Sequence, residues 1–283
     1  MLKGTALYIR RYSKKRHGTP KQLAKKFADH GASWVAIGGP WHEKRGNKIS
    51  TGVMNSPETC KKLCDAFYEK DVDPFIWGYP WQGTEEKFAD QMDACAGEYN
   101  LGLLDPELGS NPQRASKGPG KRRADAHAEK VVKLMAERFA GGIVGLSTYG
   151  SGVRMGFFPL YAFAKALAKH FPGAAFLGGQ TYTNDASVDP SIADFLKAIE
   201  KCGGLDVLQL VPNFGTYKRV TRGGKRRAVA KTGPELYSHF GEFIDEGEPV
   251  HAMIGWAENF MNAELWRVFA RMSEQIDRGA CSL

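Results

Sequence analysis

The sequence of 283 residues predicts an α/β fold: a single (β/α)8 TIM-type barrel over residues 1–283, with long loops after strands 2, 4 and 7. Three observations predict it. Short apolar runs alternate with amphipathic segments from end to end, which implies a parallel sheet. The alternation repeats eight times and leaves no segment large enough for a second domain, and eight such units close a barrel of the usual ~250 residues. An open doubly wound sheet is the runner-up, but the first strand is followed by Arg-Arg-Tyr-Ser-Lys and not by a Gly-x-Gly-x-x-Gly turn.

Each unit has its own signals. Strand one is Thr5–Arg10, and Thr19-Pro20 opens a helix with an N-cap and a proline at the first helical position. Strand two is Ser33–Gly38; a loop runs from Gly39 to Asn55, and Ser56-Pro57-Glu58 caps the next helix. Strand three, Asp73–Tyr79, leads to a helix opening at Gly83-Thr84-Glu85. Strand four lies within Asn100–Glu107 and stops near Pro106, which has no N–H for the ladder. The polar stretch Gly109–Arg123 reads as a long loop. Val131, Leu134, Met135 and Phe139 then give the 3.6-residue period of a helix over Ala124–Phe139. Strands five to eight are Gly142–Thr148, Ala174–Gln180, Leu205–Val211 and Val250–Gly255. Their helices span Pro159–His170, then Asp189-Pro190 to Cys202, then from Thr232-Gly-Pro-Glu235, and finally from the cap Asn262.

Composition is that of an ordinary globular protein, with 42% hydrophobic and 25% charged residues. No run approaches the ~20 apolar residues of a membrane span, and the N-terminus lacks a signal-peptide pattern. The expectation is a protein made in the cytoplasm, acting at a cell wall or outside the cell only if lysis or a virion delivers it. Five cysteines without framework spacing read as reduced thiols. The net charge of +8 is concentrated in Arg10–Arg16, Arg114–Arg123 and Lys218–Lys231. Such clusters suit an anionic polymer or assembly partners, or are simply a solvated basic surface; nucleic acid is disfavoured, because no nucleic-acid-binding signature accompanies them.

In a (β/α)8 barrel the functional side chains stand at the C-terminal strand ends. Those ends carry Arg10, Tyr12, Trp41, His42, Trp77, Tyr79, Trp81, Asp105, Glu107, Ser147, Tyr149, Gln180, Tyr182, Gln209, Asn213, Trp256, Glu258 and Asn259. Asp105 and Glu107 are two apart on a strand, so they share a face. Paired carboxylates suit general acid–base chemistry, because their repulsion separates their pKa values; the competing reading is an acidic turn. Indoles with amides and an arginine suit sugar rings and their hydroxyls, or else close the barrel top as core. The seven histidines are scattered, which gives no metal constellation, and no cofactor is expected. Ser147 is not a nucleophile elbow, since the Gly-x-Ser-x-Gly spacing is absent. Arg222-Gly-Gly-Lys225 lacks the Gly-Lys-Ser/Thr ending of a phosphate loop.

Leu103-Leu-Asp105-Pro-Glu107 resembles the Asp-x-Glu strand end of family 25 glycoside hydrolases, the muramidases of phages and bacteria. Trp77-Gly-Tyr79-Pro-Trp81 and the Gln209 strand end are similar in character to that family's. The resemblance implies cleavage of the peptidoglycan glycan strand, with Glu107 as proton donor and Asp105 as its partner. Where that family has an aspartate at the end of strand one this chain has Arg10, and Glu258 is the nearest acid to its late-strand aspartate. Two functions are therefore expected in competition: a glycosidase acting on a polysaccharide, partly anionic, and a catalytically silent barrel serving as a glycan-binding or structural module.

Overall fold

The structure is a computed structural model and describes residues 2–45, 48–106, 118–149, 159–180, 188–222, 225–245, 251–256 and 258–277. The first elements are β1 (Gly4–Ile9), the one-turn α1 (Lys14–His17), α2 (Pro20–Ala28), β2 (Ala32–Gly38), β3 (Pro40–Arg45), β4 (Lys48–Val53) and α3 (Pro57–Tyr68). Next come β5 (Asp73–Gly78), α4 (Glu85–Ala96), β6 (Leu101–Leu104), α5 (Gly118–Arg138), β7 (Ile143–Tyr149), α6 (Leu160–His170), β8 (Ala175–Gln180) and α7 (Val188–Glu200). The chain continues through β9 (Leu208–Leu210), β10 (Asn213–Gly215), β11 (Tyr217–Arg222), β12 (Lys225–Ala230), α8 (Gly233–Asp245), β13 (Ala252–Trp256) and α9 (Ala263–Asp277). The caps form as the sequence predicts. The Thr19 side chain accepts from the Gln22 N–H in a full capping box, and Ser56 and Asn262 accept from the Thr59 and Leu265 N–H groups.

Parallel pairing runs β13-β1-β2-β5-β6-β7-β8, and the ring closes through β9 and β10. These two are one broken barrel strand: β9 pairs with β8, and β10 with β13. The break falls at Pro212, which has no N–H to donate, while its carbonyl accepts from Ile254 at 3.0 Å. The alternation of side chains separates two layers. Ala6, Tyr8, Trp34, Phe75, Trp77, Leu103, Phe176 and Ile254 fill the barrel interior. Leu7, Ile9, Val35, Ile37, Ile76, Leu104, Val144 and Leu146 face the helices. Among the described residues no helix is long and apolar enough to cross a membrane.

The structure differs from the sequence reading at five places. The loops after strands two and seven each contain an antiparallel hairpin, β3–β4 and β11–β12. The basic stretch after β1 contains the turn α1. α5 starts at Gly118 rather than Ala124, so its first turn includes Pro119, a position where a missing N–H costs no helical bond. Strand seven starts at Leu208, because Val207 and Leu208 both donate to the Gly204 carbonyl in a turn.

A buried hydrogen bond between two titratable side chains joins α4 to α5. His127 Nδ1 donates to Glu85 Oε1 at 2.6 Å. Burial opposes ionisation of Glu85, but the hydrogen bonds from His127 and from the Gly83 and Glu85 N–H groups outweigh it and lower the pKa from 4.5 to about 2. A folded value below the unfolded one stabilises the protein above the unfolded pKa, and that contribution is lost as pH falls from 4.5 towards 2. The linkage is on the order of 3 kcal/mol. Glu85→Gln should therefore flatten the acid limb of a plot of Tm against pH in that window; an unchanged acid limb would count against the pair.

Candidate active site at the barrel mouth

β6 stops at Leu104, yet the Asp105 N–H still donates to the Gly78 carbonyl at 2.9 Å, so Asp105 remains fixed to β5. Leu103 faces the interior, and Asp105, two residues on, continues that face. Asp105 is 2% exposed. Gln180, at the end of β8, donates through Nε2 to Asp105 Oδ1 at 3.0 Å and to Ser147 Oγ at 2.8 Å. Asn213 Nδ2 donates to the same Ser147 oxygen at 2.6 Å. Thus β6, β7, β8 and β10 each contribute one polar side chain to a connected network across the mouth. Gly178 makes room for it: a Cβ there would lie 2.9 Å from Asn213 Oδ1. Gln180 Oε1 is buried without a hydrogen-bond partner among the described residues.

An aromatic wall stands beside the network. Trp77 meets Tyr8 edge-on at 5.5 Å and Trp41 at 5.9 Å; Trp41 meets Tyr79 at 5.3 Å, and Tyr79 stacks on Trp81 at 6.1 Å. The Arg10 guanidinium lies over the Trp41 ring, 5.2 Å from its centre. Trp41 and Trp81 are half-buried and present ring surface. Trp77 is wholly buried and Tyr79 nearly so. Both were expected to bind substrate through their rings; they instead form the floor behind Trp41 and Trp81, since their strand positions point into the packed interior.

Glu258 is not in the Asp105 network. It lines a neighbouring cleft of about 540 Å³ with Tyr8, Arg10, Arg11, Arg16 and Phe260. There its Oε2 lies 3.2 Å from His17 Nε2. Asn55 braces this side of the mouth: it donates to the carbonyls of Gly38 (2.7 Å) and Arg10 (3.3 Å) and accepts from the Tyr12 N–H (2.9 Å). Gln209, expected on the rim, sits at the opposite end of the barrel. Its amide donates to the Leu2 carbonyl at 2.7 Å and accepts from the Leu2 N–H at 2.8 Å, and its register partner is Phe176, near the start of β8. Glu107, Tyr182 and the side chains of Tyr149 and Trp256 lie outside the described residues.

The sequence reading gave no role to Tyr8 or His17, and it placed Ser147 at a strand end without assigning it a binding role. Ser147 was detectable from period two, since it follows the interior-facing Gly145. Among the described residues no group of three or more His, Cys, Asp or Glu could hold a metal ion.

No protein-family model matches the sequence, and no curated protein matches it. Solved structures do match in shape. The spore cortex-lytic enzyme SleL of Bacillus cereus superposes with a TM-score of 0.60 at 12% identity, covering 96% of this chain and 74% of SleL. The C-terminal domain of a putative chitinase from Desulfitobacterium hafniense DCB-2 gives 0.63 at 9% identity, over 97% of this chain and 99% of that domain. A class V chitinase from Pseudomonas fluorescens Pf-5 gives 0.57 at 10% identity, over 95% and 98%. What this chain shares with them is the (β/α)8 barrel over nearly its whole length.

Proposed function

We propose that the protein is a glycoside hydrolase acting on a polysaccharide, with peptidoglycan or another cell-surface glycan as substrate. One observation carries this reading: Asp105 is fixed at the barrel mouth by Gln180, beside the ring surfaces of Trp41 and Trp81. Glu107, two residues further along the sequence, is assigned as the proton donor to the glycosidic oxygen. Asp105 supplies a negative charge that stabilises the positive centre developing on the sugar. The likeness in shape to a cortex-lytic enzyme and to chitinases supports a glycan substrate. It extends the resemblance to family 25 to barrel glycosidases in general.

A second reading, glycan binding without cleavage, is favoured by Glu258. Of the three acids assigned to catalysis, Asp105 alone is placed in the network among the described residues, because Glu258 pairs with His17 in the cleft next to it. A zymogram against peptidoglycan and a panel of polysaccharides separates the readings. Clearing supports hydrolysis, retention without clearing supports a binding module, and neither would end the glycan reading. Trp81→Ala should weaken glycan binding about tenfold through loss of ring stacking. The half-buried position implies a shift in Tm of no more than about 2 °C. Calorimetric titration checks the first figure and thermal melting the second.

A further inference from the structure

We propose that the cleft between the ends of β1 and β13 is a subsite for a carboxylated sugar unit, which makes the substrate an acidic glycan. The inference rests on the glycan reading above and specifies the substrate class. Arg10, Arg11 and Arg16 all line this cleft of about 540 Å³, a volume that accommodates a sugar unit. Among the described residues none of the three has a carboxylate at ion-pair distance. The one acid in the lining, Glu258, is engaged by His17 at 3.2 Å. The cleft therefore holds an excess of positive charge without an internal partner. Guanidinium forks match a carboxylate in a bidentate geometry, and Arg10 is already positioned by its contact with Trp41.

The neighbouring hairpin extends the same polarity. Tyr217, at the start of β11, stacks on Phe260 of the cleft at 4.9 Å. The register of the hairpin then sets Arg222 opposite Lys225. Glu258 favours a glycan over a bare phosphate backbone: a carboxylate in the lining accepts hydrogen bonds, which sugar hydroxyls supply and ionised phosphates do not.

The test is calorimetric titration of the whole protein with oligogalacturonate and with peptidoglycan glycan strands, each also in carboxyl-reduced form. The acid form of at least one should bind about tenfold more tightly than its reduced counterpart. The double variant Arg11→Gln/Arg16→Gln, at two exposed positions, should erase that preference while keeping the affinity for the reduced form. Equal binding of acid and reduced forms by the wild type would overturn the inference and leave the glycan reading in place. Binding to neither form of either polymer would overturn both. A generic single-stranded DNA bound as tightly as the acid glycan, and lost in the double variant, would reassign the cleft to nucleic acid.

Discussion

As the proton donor proposed above, Glu107 should be indispensable: Glu107→Gln is expected to lower glycan cleavage by about 10²–10⁴-fold, the range that a positioned general acid contributes, while leaving the fold intact. Leu103 is packed in the barrel interior and Asp105 reaches Gln180 across the mouth, so this face of the chain points to the site. Glu107 follows Asp105 by two residues in the sequence, the spacing of the Asp-x-Glu pattern on which its assignment as donor rests. Gln keeps the size and hydrogen-bonding reach of the side chain and removes only the transferable proton. Affinity for the glycan should therefore change little while turnover falls, which is the signature of an interaction made in the transition state alone. Release of reducing ends measures the first effect, and far-ultraviolet circular dichroism with thermal melting checks the fold. Activity within about threefold of the wild type, far inside the range expected of a general acid, would remove Glu107 from the mechanism.

The barrel was legible because its signals are local and repeated. Thr19-Pro20, Ser56-Pro57 and Asn262 each announce a helix by supplying an acceptor for an unpaired N–H, and all three caps form. The hairpins were missed for a different reason. β11 and β12 carry charged residues on successive positions, so no alternation of apolar and polar residues marks them as strands. The signal that would have found them is the two-residue Gly-Gly link between Arg222 and Lys225, which favours a tight antiparallel turn. The site was legible in part. Asp105, Gln180 and Asn213 converge because strand ends in a closed barrel must converge. Gln209 failed because the strand was read as ending at Val211, whereas Pro212 only breaks it and the rim lies beyond, at Asn213–Gly215. For Trp77 and Trp41, the residue type cannot tell a packed indole from one that presents its face; that depends on how neighbouring strands are staggered.

Gly145→Ala should be strongly damaging to the fold beside the site. Val144 and Leu146 face the helices, so residue 145 points into the barrel, where a Cβ would lie 2.0 Å from the Phe176 ring. The ring has little freedom to retreat, since it packs edge-on against Trp34 at 5.8 Å and Phe75 at 5.9 Å. Overpacking of this kind costs about 1–3 kcal/mol, and a confined aromatic ring places it at the upper end. In a domain of this size that lowers Tm by about 10 °C. Phe176→Leu alone removes ring contacts and also destabilises, but in the Gly145→Ala background it opens the space that the new methyl needs. The two changes should therefore be strongly non-additive, with the double variant more stable than the sum of the single losses predicts. Activity should follow the same order. Ser147 and Gln180 stand two and four residues beyond this contact on the same two strands, so parting β7 from β8 pulls the Ser147–Gln180–Asp105 chain apart. Denaturant melts of the four proteins, read beside their cleavage rates, decide the matter: additive losses would mean that Phe176 does not fill the space above Gly145.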